Sequence, residues 1–521
     1  MIPPLPKTSH IEAERWPGFA NPRKIMPVST STPSAPSPYV FSELLIDGRW
    51  RAGAAGTIFK DLDPYTGRTL VEVPQANVAD IDAAYASAKR AQRQWANTMP
   101  GQRAEVLRRA AAIMDARHAE IVDWLIRESG SVRIKAELEW SAVRAIILEA
   151  STLPTREWGR IMPGDIPGKE HRIYRVPVGV ISVISPWNWP MHLSSRATAP
   201  ALALGNAVVL KPASETVVTG GLLLGKIFEE AGLPPGVLNV VSGDNRLIGD
   251  PFVLHPASRV ISFTGSTPVG RRIAGLAATG KTLKKAQLEL GGNNPLVILD
   301  DADLEQAVNI ATFGRFLHQG ELCVSVNRVI VEDALHDRFV EAFVERVKGL
   351  KYGDPNLADT AVGPIINQRQ LDGLNTMIAN ARADGATERV GGKPEGLVLP
   401  PHVFTNVTEH VRLGQDEIFG PVLPISRAKD ESDALRMAND TEFGLSSAVL
   451  TRNIDRGVRF AHQVEAGMTH VNDVPAVDLA NMPFGGEKNS GLGRFGANGM
   501  FEDFTTEHWI SVQHGARQFP F

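Results

Sequence analysis

Cys323 is the only cysteine among the 521 residues, which makes it the first candidate for chemistry. One thiol forms no internal disulfide and builds no cysteine-rich zinc site. Gly320 precedes it by three positions in FLHQGELC, so a tight turn can present the thiol to a cleft. Two interpretations are open at this point, a small buried hydrophobic side chain and a catalytic nucleophile.

Glu289 and Asn188 are candidates for assisting a nucleophilic thiol. Glu289 ends AQLEL before two glycines; it is interpreted either as a general base or as an ordinary loop acid. Asn188 lies between two tryptophans in PWNWP, where the prolines stiffen the chain. An amide held rigidly in a cleft can donate to an oxyanion, although asparagine is also a common turn residue.

Two further segments have residues suited to phosphate and ribose. The turn in FTGSTPVG leads into a helix with Pro268 in its first turn, so free N–H groups would face a bound phosphate. Gly265 and Gly270 do not form the GxGxxG fingerprint, and an ordinary capped helix is the alternative. Lys211 closes AVVLK, where its amine is either solvated or available to ribose hydroxyls.

These candidates all lie at the ends of predicted strands. Short β-rich runs alternate with predicted helices, which indicates βαβ units and a parallel sheet. Ligands bind such sheets where the strands deliver their C-terminal ends. The predicted strands are GVISVIS, AVVLKP, VLNVV, RVISFTG and AQLEL, and the intervening helices are 192–203, 216–230 and 268–278.

The flanking regions predict further layers. Before the sheet, helices are expected at 78–95, 103–129 and 135–151, after a hairpin with a turn at Asp47-Gly48. Past Asp303 a second α/β pattern begins. The C-terminal HWISVQ alternates like a strand and is expected to pair outside its own domain, as is the segment 170–176.

Length and composition restrict the class of protein. A chain of 521 residues predicts two or three domains. With 43% hydrophobic residues, 21% charged residues and a net charge of -4, it indicates a globular protein without a nucleic-acid or membrane partner. Residues 1–40 are rich in Pro, Ser and Thr and predict a flexible tail without a signal sequence; Met26 is an alternative start, and a cytoplasmic location is the default.

Seven segments, in order, resemble the aldehyde dehydrogenase superfamily: SPWNWP, VLKPAS, FTGSTPVG, ELGGNNP, QGELC, EIFGPV and PFGGEKNSGLGR. The resemblance runs from about Leu44 to the C-terminus. It implies an α/β fold with a Rossmann-type cofactor domain (41–154 and 178–290), an α/β catalytic domain (291–499) and a small β oligomerisation element (155–177 and 500–521). It also implies NAD or NADP as cofactor, an aldehyde substrate, no metal, and a homodimer or homotetramer.

The resemblance also implies roles for individual residues. Cys323 matches the nucleophile, Asn188 the oxyanion donor, and Glu289 the base that activates water for thioester hydrolysis. The positions that match cofactor-binding residues are Ser185, Pro186, Trp187, Lys211, Ser214, Gly265, Ser266, Gly270, Glu417 and Phe419.

Three positions depart from the family pattern. Glu321 replaces the usual Gln two residues before the thiol, and its carboxylate would oppose thiolate formation unless it points away or is neutralised. His318 replaces a common Asn and is interpreted as structural, with a Cys-His dyad as the alternative. Ser214 replaces an acid that often grips ribose, which admits NADP, although the adjacent Glu215 keeps NAD open.

The substrate prediction rests on the combination of HLSSRATAPALALGNAVVLKPAS with HQGELCVSVNR, which resembles the benzaldehyde, or aromatic-aldehyde, branch. Trp189, Leu322 and Phe484, together with Phe316, are candidates for an apolar pocket wall, and each is also compatible with a core position. The alternatives are a medium-chain aliphatic aldehyde, transfer of the acyl group to coenzyme A, and a non-catalytic binding protein on this fold.

Overall fold

The computed structural model describes residues 39–156 and 158–521. The predicted tail therefore lies outside the described residues, apart from Tyr39 and Val40, as does the choice between Met1 and Met26. Tyr39 already belongs to the folded part, since its ring packs edge-on against Phe41 with centroids 6.2 Å apart. No helix in these two described ranges is long and apolar enough to cross a membrane.

The first part of the chain contains a hairpin, a helical layer and a βαβ series. Its elements are β1 (Leu44–Ile46), β2 (Arg49–Arg51), β3 (Ile58–Leu62), β4 (Thr69–Pro74), α1 (Val78–Ala96), α2 (Pro100–Ala116), α3 (His118–Ser129), α4 (Arg133–Ala150), β5 (Gly159–Met162), β6 (Lys169–Pro177), β7 (Val180–Ile184), α5 (Pro190–Ala203), β8 (Ala207–Lys211), α6 (Leu223–Glu230), β9 (Leu238–Val240), α7 (Asn245–Leu254), β10 (Ser258–Thr264), α8 (Thr267–Thr279) and β11 (Lys285–Glu289).

The second part repeats the α/β pattern and ends in a long strand. Its elements are β12 (Pro295–Ile298), α9 (Leu304–Phe316), β13 (Arg328–Glu332), α10 (Asp333–Lys348), α11 (Gln368–Ala383), β14 (Thr387–Val390), β15 (His402–Thr405), β16 (Val422–Ala428), α12 (Glu431–Asn439), β17 (Phe443–Gly444), β18 (Ser446–Leu450), α13 (Ile454–Ala461), β19 (Met468–Val471), β20 (Glu487–Lys488), β21 (Gly491–Leu492), α14 (Ala497–Phe504) and β22 (Thr505–Gln513).

The larger sheet has the order β2-β1-β9-β8-β7-β10-β11-β21. Its five central strands, β9, β8, β7, β10 and β11, are parallel to one another. The strands outside them, β1, β2 and β21, pair antiparallel with their neighbours. The order reverses between β7 and β10, and doubly wound sheets bind dinucleotides at such a switch point. The segments that leave these two strands begin at Ser185 and Gly265, which are both predicted cofactor residues. The α/β class and the Rossmann-type sheet are thus confirmed.

A second sheet has the order β14-β15-β16-β13-β12-β18-β19, and all of its pairs except β14 with β15 are parallel. The short link between β11 and β12 joins the two sheets, so Glu289 at the end of β11 lies where they meet. A third sheet, β22-β6-β5, is antiparallel. It pairs the C-terminal strand with 169–177 of the same chain.

Two predicted elements differ in detail from the structure. The helix expected over 103–129 is two helices, because Arg117 leaves helical geometry with φ -108° and ψ 17°. The helix expected over 216–230 begins with a π-type turn at Val218–Leu222 before α6. There the buried carboxylate of Glu128 accepts hydrogen bonds from the backbone N–H groups of Val218 and Thr219, at 2.6 and 2.7 Å.

Candidate active site

A cleft of about 410 Å³ opens where β7, β10 and β11 end. It brings together most of the predicted site residues, which are distant in sequence. The predicted residues in its wall are Pro186, Trp187, Asn188, Gly265, Ser266, Glu289, Cys323, Glu417 and Phe419. Another part of the wall comes from α11, including Arg369, Gln370 and Met377, which no motif in the sequence indicated.

A strained turn positions Cys323. Three successive residues after α9 have left-handed backbone angles: His318 (φ 50°), Gln319 (φ 54°) and Gly320 (φ 74°). Such a run is costly for L-residues and persists only where surrounding contacts enforce it. At Gly320 a Cβ would lie 2.5 Å from the carbonyl oxygen of Gly420, so only glycine fits. The turn directs the chain back into the cleft, as the position of Gly320 predicted.

Asn294 fixes the segment that carries the thiol. Its Nδ2 donates to the carbonyl oxygens of Cys323 (2.7 Å) and Ser325 (2.8 Å). Its Oδ1 accepts from the backbone N–H of Ser446 at 3.0 Å, which ties the same residue to β18. Asn294 lies within ELGGNNP, but the motif did not indicate which of its residues supports the thiol.

Asn188 lies beside the Cys323 loop at the start of α5. Its Nδ2 donates to the carbonyl oxygen of Glu321 at 2.9 Å. The helix start is held by Glu139, whose Oε1 accepts from the N–H groups of Met191 (2.9 Å) and His192 (3.1 Å). Because an amide has two N–H donors, one remains for a substrate oxygen. The Asn188 amide is thus held in place in the cleft wall with one N–H available to an oxygen bound there.

Asn188→Ala is expected to lower kcat by roughly 100- to 1,000-fold, since one preorganised oxyanion donor is worth that much in comparable sites. Stopped-flow measurement of hydride transfer checks this. The control is Asn439→Ala, which removes an exposed amide that bonds the carbonyl of Gln463 on the surface. A loss confined to KM in Asn188→Ala would contradict the oxyanion role.

Glu289 is fully buried next to the thiol. The Cys323 Sγ lies 3.8 Å from its Oε2, and an Nη of Arg196 lies 3.4 Å from the same oxygen. Burial raises the pKa of Glu289 to about 7, with Arg196 opposing the rise. Burial, and next the Glu289 charge, raises the pKa of the Cys323 thiol well above its ordinary value. Before substrate binds, Cys323 is thus a protonated thiol, and the carboxyl group beside it has a pKa of about 7.

The surroundings of Glu321 determine whether its carboxyl group opposes thiolate formation at Cys323. Its side chain is fully buried, and its Oε1 accepts from the N–H of Ile366 at 3.3 Å. Burial raises the pKa of Glu321 well above its ordinary value, which favours the uncharged acid, while the charge of Lys135 opposes this rise. The amine of buried Lys135 lies 2.5 Å from Glu139. The raised pKa reduces the negative charge that Glu321 would place near the thiol.

His318 is fully buried as well. Burial, with the nearby Lys135 charge, lowers the pKa of His318 well below its ordinary value. The side chain in hydrogen-bond range of Cys323 Sγ in the described part of the chain is Glu289, at 3.8 Å, rather than His318. The structure thus favours the structural interpretation of His318 over a Cys-His dyad.

The turn in FTGSTPVG, between β10 and α8, has the features of an anion site. Ser266 is the N-cap of α8 without a side-chain hydrogen bond to the helix, and Pro268 lies in the first turn. At Gly270 a Cβ would lie 2.3 Å from Leu290, so glycine permits close packing of this helix on the sheet. Gly270 thus contributes to the packing of α8 on Leu290 and does not line the cleft.

Lys211 lies at the end of β8 and is only 5% exposed. Its amine has no hydrogen-bond acceptor among the described residues, and burial lowers its pKa to about 8. A buried, unpartnered amine at a strand end is suited to ribose hydroxyls. Ser214 donates to Glu215 at 3.2 Å, whereas Ser185 shares a 2.6 Å contact with Ser194 and is turned into the core.

Glu417 and Phe419 both line the cleft. Glu417 Oε1 accepts from the N–H of Gly292 at 3.1 Å, and burial raises the pKa of this carboxyl to about 7. Phe419 has a left-handed φ of 52°, and its ring meets Trp187 edge-on at 5.4 Å. Gln370 of α11 donates to the carbonyl of Phe419 at 2.8 Å. Both rings of this pair line the same cleft as Cys323.

The predicted substrate residues lie behind or beside the thiol rather than in the described cleft wall. Leu322 precedes Cys323 and is buried, and the ring of Trp189 lies 5.0 Å from the amine of Lys135. Phe484 packs against Arg196 at 4.3 Å. Phe316 as a pocket wall is wrong, because its ring stacks on Phe343 at 6.4 Å in the core of the second α/β region.

Comparisons with known proteins place the chain in a family. The model of the aldehyde dehydrogenase family matches residues 50–510. A vanillin dehydrogenase of Corynebacterium glutamicum is 50% identical over 90% of this chain and 97% of its own length. A benzaldehyde dehydrogenase [NAD(+)] of Pseudomonas putida is 40% identical over 90% and 96%. The crystal structure of an NAD-dependent benzaldehyde dehydrogenase from Corynebacterium glutamicum superposes with a TM-score of 0.86 at 46% identity, covering 93% of this chain and 99% of that one. The chain belongs to the aldehyde dehydrogenase family.

Proposed function

We propose that this protein oxidises an aromatic aldehyde to its carboxylic acid, with NAD or NADP as hydride acceptor and Cys323 as nucleophile. The observation that carries the proposal is the 3.8 Å contact between Cys323 Sγ and Glu289 Oε2 in the wall of the switch-point cleft. The aromatic substrate class is supported by relatives that are named vanillin and benzaldehyde dehydrogenases and cover nearly the whole chain.

Attack on the aldehyde requires the thiolate. Glu289, with a pKa near 7, is placed to accept the thiol proton as Sγ forms a bond to the carbonyl carbon. The carbonyl oxygen gains the negative charge, which the free N–H of Asn188 and the backbone N–H of Cys323 would stabilise. The result is a thiohemiacetal on Cys323.

A nicotinamide dinucleotide bound in the cleft supplies the oxidant, accepting the hydride from that carbon. Three features of the cleft region fit such a dinucleotide. They are the buried amine of Lys211, the start of α8 without a side-chain cap, and the cleft wall that includes Glu417 and Phe419. Loss of hydride leaves a thioester on Cys323. Once Glu289 has released the thiol proton to solvent, it takes a proton from the water that attacks the thioester carbon. The C–S bond then breaks, the acid leaves, and the proton held by Glu289 returns to the Cys323 sulfur.

The carboxylate of Glu215 supports a preference for NAD. It lies beside Ser214 and accepts from Asn367 Nδ2 at 3.4 Å. If it faces the ribose, a negative charge there would accept a 2′-hydroxyl and repel a 2′-phosphate. Arg369 approaches the same carboxylate only to 4.0 Å and is largely exposed, so it neutralises little of this charge.

One assay separates the alternatives. NADH and NADPH formation is measured with benzaldehyde and with hexanal, each with and without coenzyme A. Benzaldehyde should be oxidised without coenzyme A, with a higher kcat/KM than hexanal. Faster oxidation of hexanal would favour a medium-chain aliphatic substrate. A requirement for coenzyme A would favour the acylating reaction, and no reduction with either aldehyde would favour a binding protein.

The domain assignment and the oligomer are part of the same proposal. Residues 41–154 and 178–290 would bind the dinucleotide, 291–499 would complete the catalytic domain, and 155–177 with 500–521 would form the oligomerisation element. That element is the sheet β22-β6-β5, which exposes large apolar side chains in water. They are Ile161 (71%), Trp509 (62%), Met162 (43%), Tyr174 (40%) and Ile510 (40%). By the strand register, Ile161, Tyr174 and Ile510 share one face of this sheet, and Met162 and Trp509 share the other. Exposed apolar side chains on both faces of a sheet mark interfaces, which supports a homodimer or homotetramer.

The double variant Ile161→Glu/Trp509→Glu is expected to lower the oligomeric state, because two buried charges without partners would destabilise the interface. Sedimentation velocity measures the mass of wild type and variant. The matched control is Leu357→Glu, an equally exposed apolar residue (56%) outside this sheet. An unchanged mass in the double variant would contradict the assignment of this sheet to the interface.

A further inference from the structure

Arg196 connects the candidate base to a buried network. It lies on α5, the helix that follows Asn188, and is 3% exposed. One Nη donates to Asp478 Oδ2 at 2.7 Å, and the other lies 3.4 Å from Glu289 Oε2. The rings of Phe484 and Phe495 also contact it, each with its centroid 4.3 Å from the guanidinium carbon.

The two carboxylates are held with different strength. Charge-assisted hydrogen bonds are usually about 2.7–2.9 Å long, so Asp478 is bound tightly and Glu289 loosely. His192 Nε2 lies 2.8 Å from the same Asp478 oxygen, which fixes that carboxylate from a second side. Asp478 and the two rings therefore immobilise the guanidinium, while Glu289 stays free to turn towards the thioester.

Glu289 needs a nearby cation to stay ionised. The other titratable groups that face it are Cys323, Asp478 and Glu417, which are neutral or negative. Its Oε1 has no hydrogen-bond partner in the part of the chain that the structure describes. A buried carboxyl beside other acids would otherwise hold its proton, and a protonated acid cannot act as a base. Arg196 supplies the opposing charge, and it acts on the Cys323 thiol in the same direction.

We propose that Arg196 is a positioning residue that keeps the Glu289 carboxylate ionised and within reach of Cys323 during thioester hydrolysis, and that Asp478 sets its orientation. This inference rests on the proposed function, because it assigns a role within the hydrolysis step. It also explains a charged side chain in the middle of the otherwise uncharged helix segment LSSRATAPALA.

The test is the pH dependence of hydrolysis, measured on the full chain as the steady-state rate after the NADH burst with benzaldehyde and NAD. Arg196→Met should move the midpoint of the rising limb upward by about one pH unit, which is roughly a tenfold loss at a fixed pH below it. Arg196→Lys keeps the charge and should restore most of the shift. A wild-type midpoint in Arg196→Met would overturn the proposal.

Two further variants separate electrostatics from packing. Asp478→Asn keeps a side-chain oxygen that can accept from Arg196 but removes a negative charge that raises the pKa of Glu289, so the midpoint should move downward. An upward shift would contradict the proposal even if Arg196→Met fails to fold. The matched control is Arg103→Met. Arg103 is also buried (4%) and donates to the carbonyl of Ala203 at 3.0 Å, at the other end of α5. Its loss should lower stability and leave the midpoint unchanged; a shift as large as that of Arg196→Met would overturn the proposal.

A second readout keeps this inference distinct from the proposed function. Alkylation of Cys323 by iodoacetamide requires neither an aldehyde nor a cofactor. Its pH midpoint should rise in Arg196→Met, since the cation that opposes the raised thiol pKa is gone. If wild type forms no NADH with any aldehyde, the proposed function fails while this profile still tests Arg196. An unchanged alkylation profile overturns the role of Arg196 whatever the substrate.

Discussion

Cys323→Ser is expected to abolish NAD reduction with benzaldehyde, lowering kcat by at least about 1,000-fold, as loss of an enzyme's nucleophile does elsewhere. A serine hydroxyl at this position is a far weaker nucleophile than a thiolate, and Glu289, with a pKa near 7, is too weak a base to ionise it. The measurement is the steady-state rate of NADH formation at saturating substrate.

The chain offers a built-in control for this variant. Because Cys323 is the only cysteine, wild type should take up one thiol label per chain and Cys323→Ser none. Binding of NAD, followed by quenching of tryptophan fluorescence, should persist in the variant, since Trp187 lies in the wall of the cleft. Near-normal turnover in an unlabelled, folded variant would remove Cys323 from the mechanism.

Glu289→Gln is expected to slow thioester hydrolysis by roughly 100-fold or more, the usual contribution of a general base. Hydride transfer should be less affected, because loss of the Glu289 charge removes a group that raises the pKa of the Cys323 thiol, which offsets the loss of the proton acceptor. Stopped-flow absorbance should therefore show a burst of NADH close to one equivalent per chain, followed by a very slow steady state.

The pH profile gives the sign of the Glu289 effect. The base is active when ionised, and burial raises its pKa to about 7, so hydrolysis should increase as pH rises through about 7 in wild type. Glutamine does not titrate, so this limb should disappear in Glu289→Gln. Equal slowing of the burst and of the steady state would show that Glu289 is not specifically the base for hydrolysis.

Short motifs at strand ends made much of the site predictable. A parallel sheet delivers its C-terminal ends to one edge, so Asn188, Gly265 and Glu289 had to lie near one another once their strands were recognised. The lone cysteine and the glycine before it indicated the nucleophile turn. The family resemblance then supplied roles that spacing alone left open, such as those of Glu417 and Phe419.

The residues that sequence reasoning missed act through long-range packing. Arg196 and Asp478 lie far apart in the chain; Arg196 stands in the segment that resembles the aromatic branch, but no spacing connects it with Asp478. Lys135 lies on α4, yet its charge opposes the raised pKa of Glu321 and contributes to the lowered pKa of His318, and only the three-dimensional structure reveals this. The sequence leaves Phe316 open between pocket wall and core, because an aromatic side chain near the thiol has the same signature in both; the structure places it in the core.

A thioester at Cys323 can be detected directly by mass spectrometry of Glu289→Gln after mixing with benzaldehyde and NAD. We expect a covalent benzoyl adduct on the peptide that contains Cys323, formed with the burst of NADH and removed by hydroxylamine. No adduct is predicted without NAD, because the thiohemiacetal reverses on denaturation. An NADH burst without an adduct, or with an adduct on another residue, would contradict a thioester at Cys323.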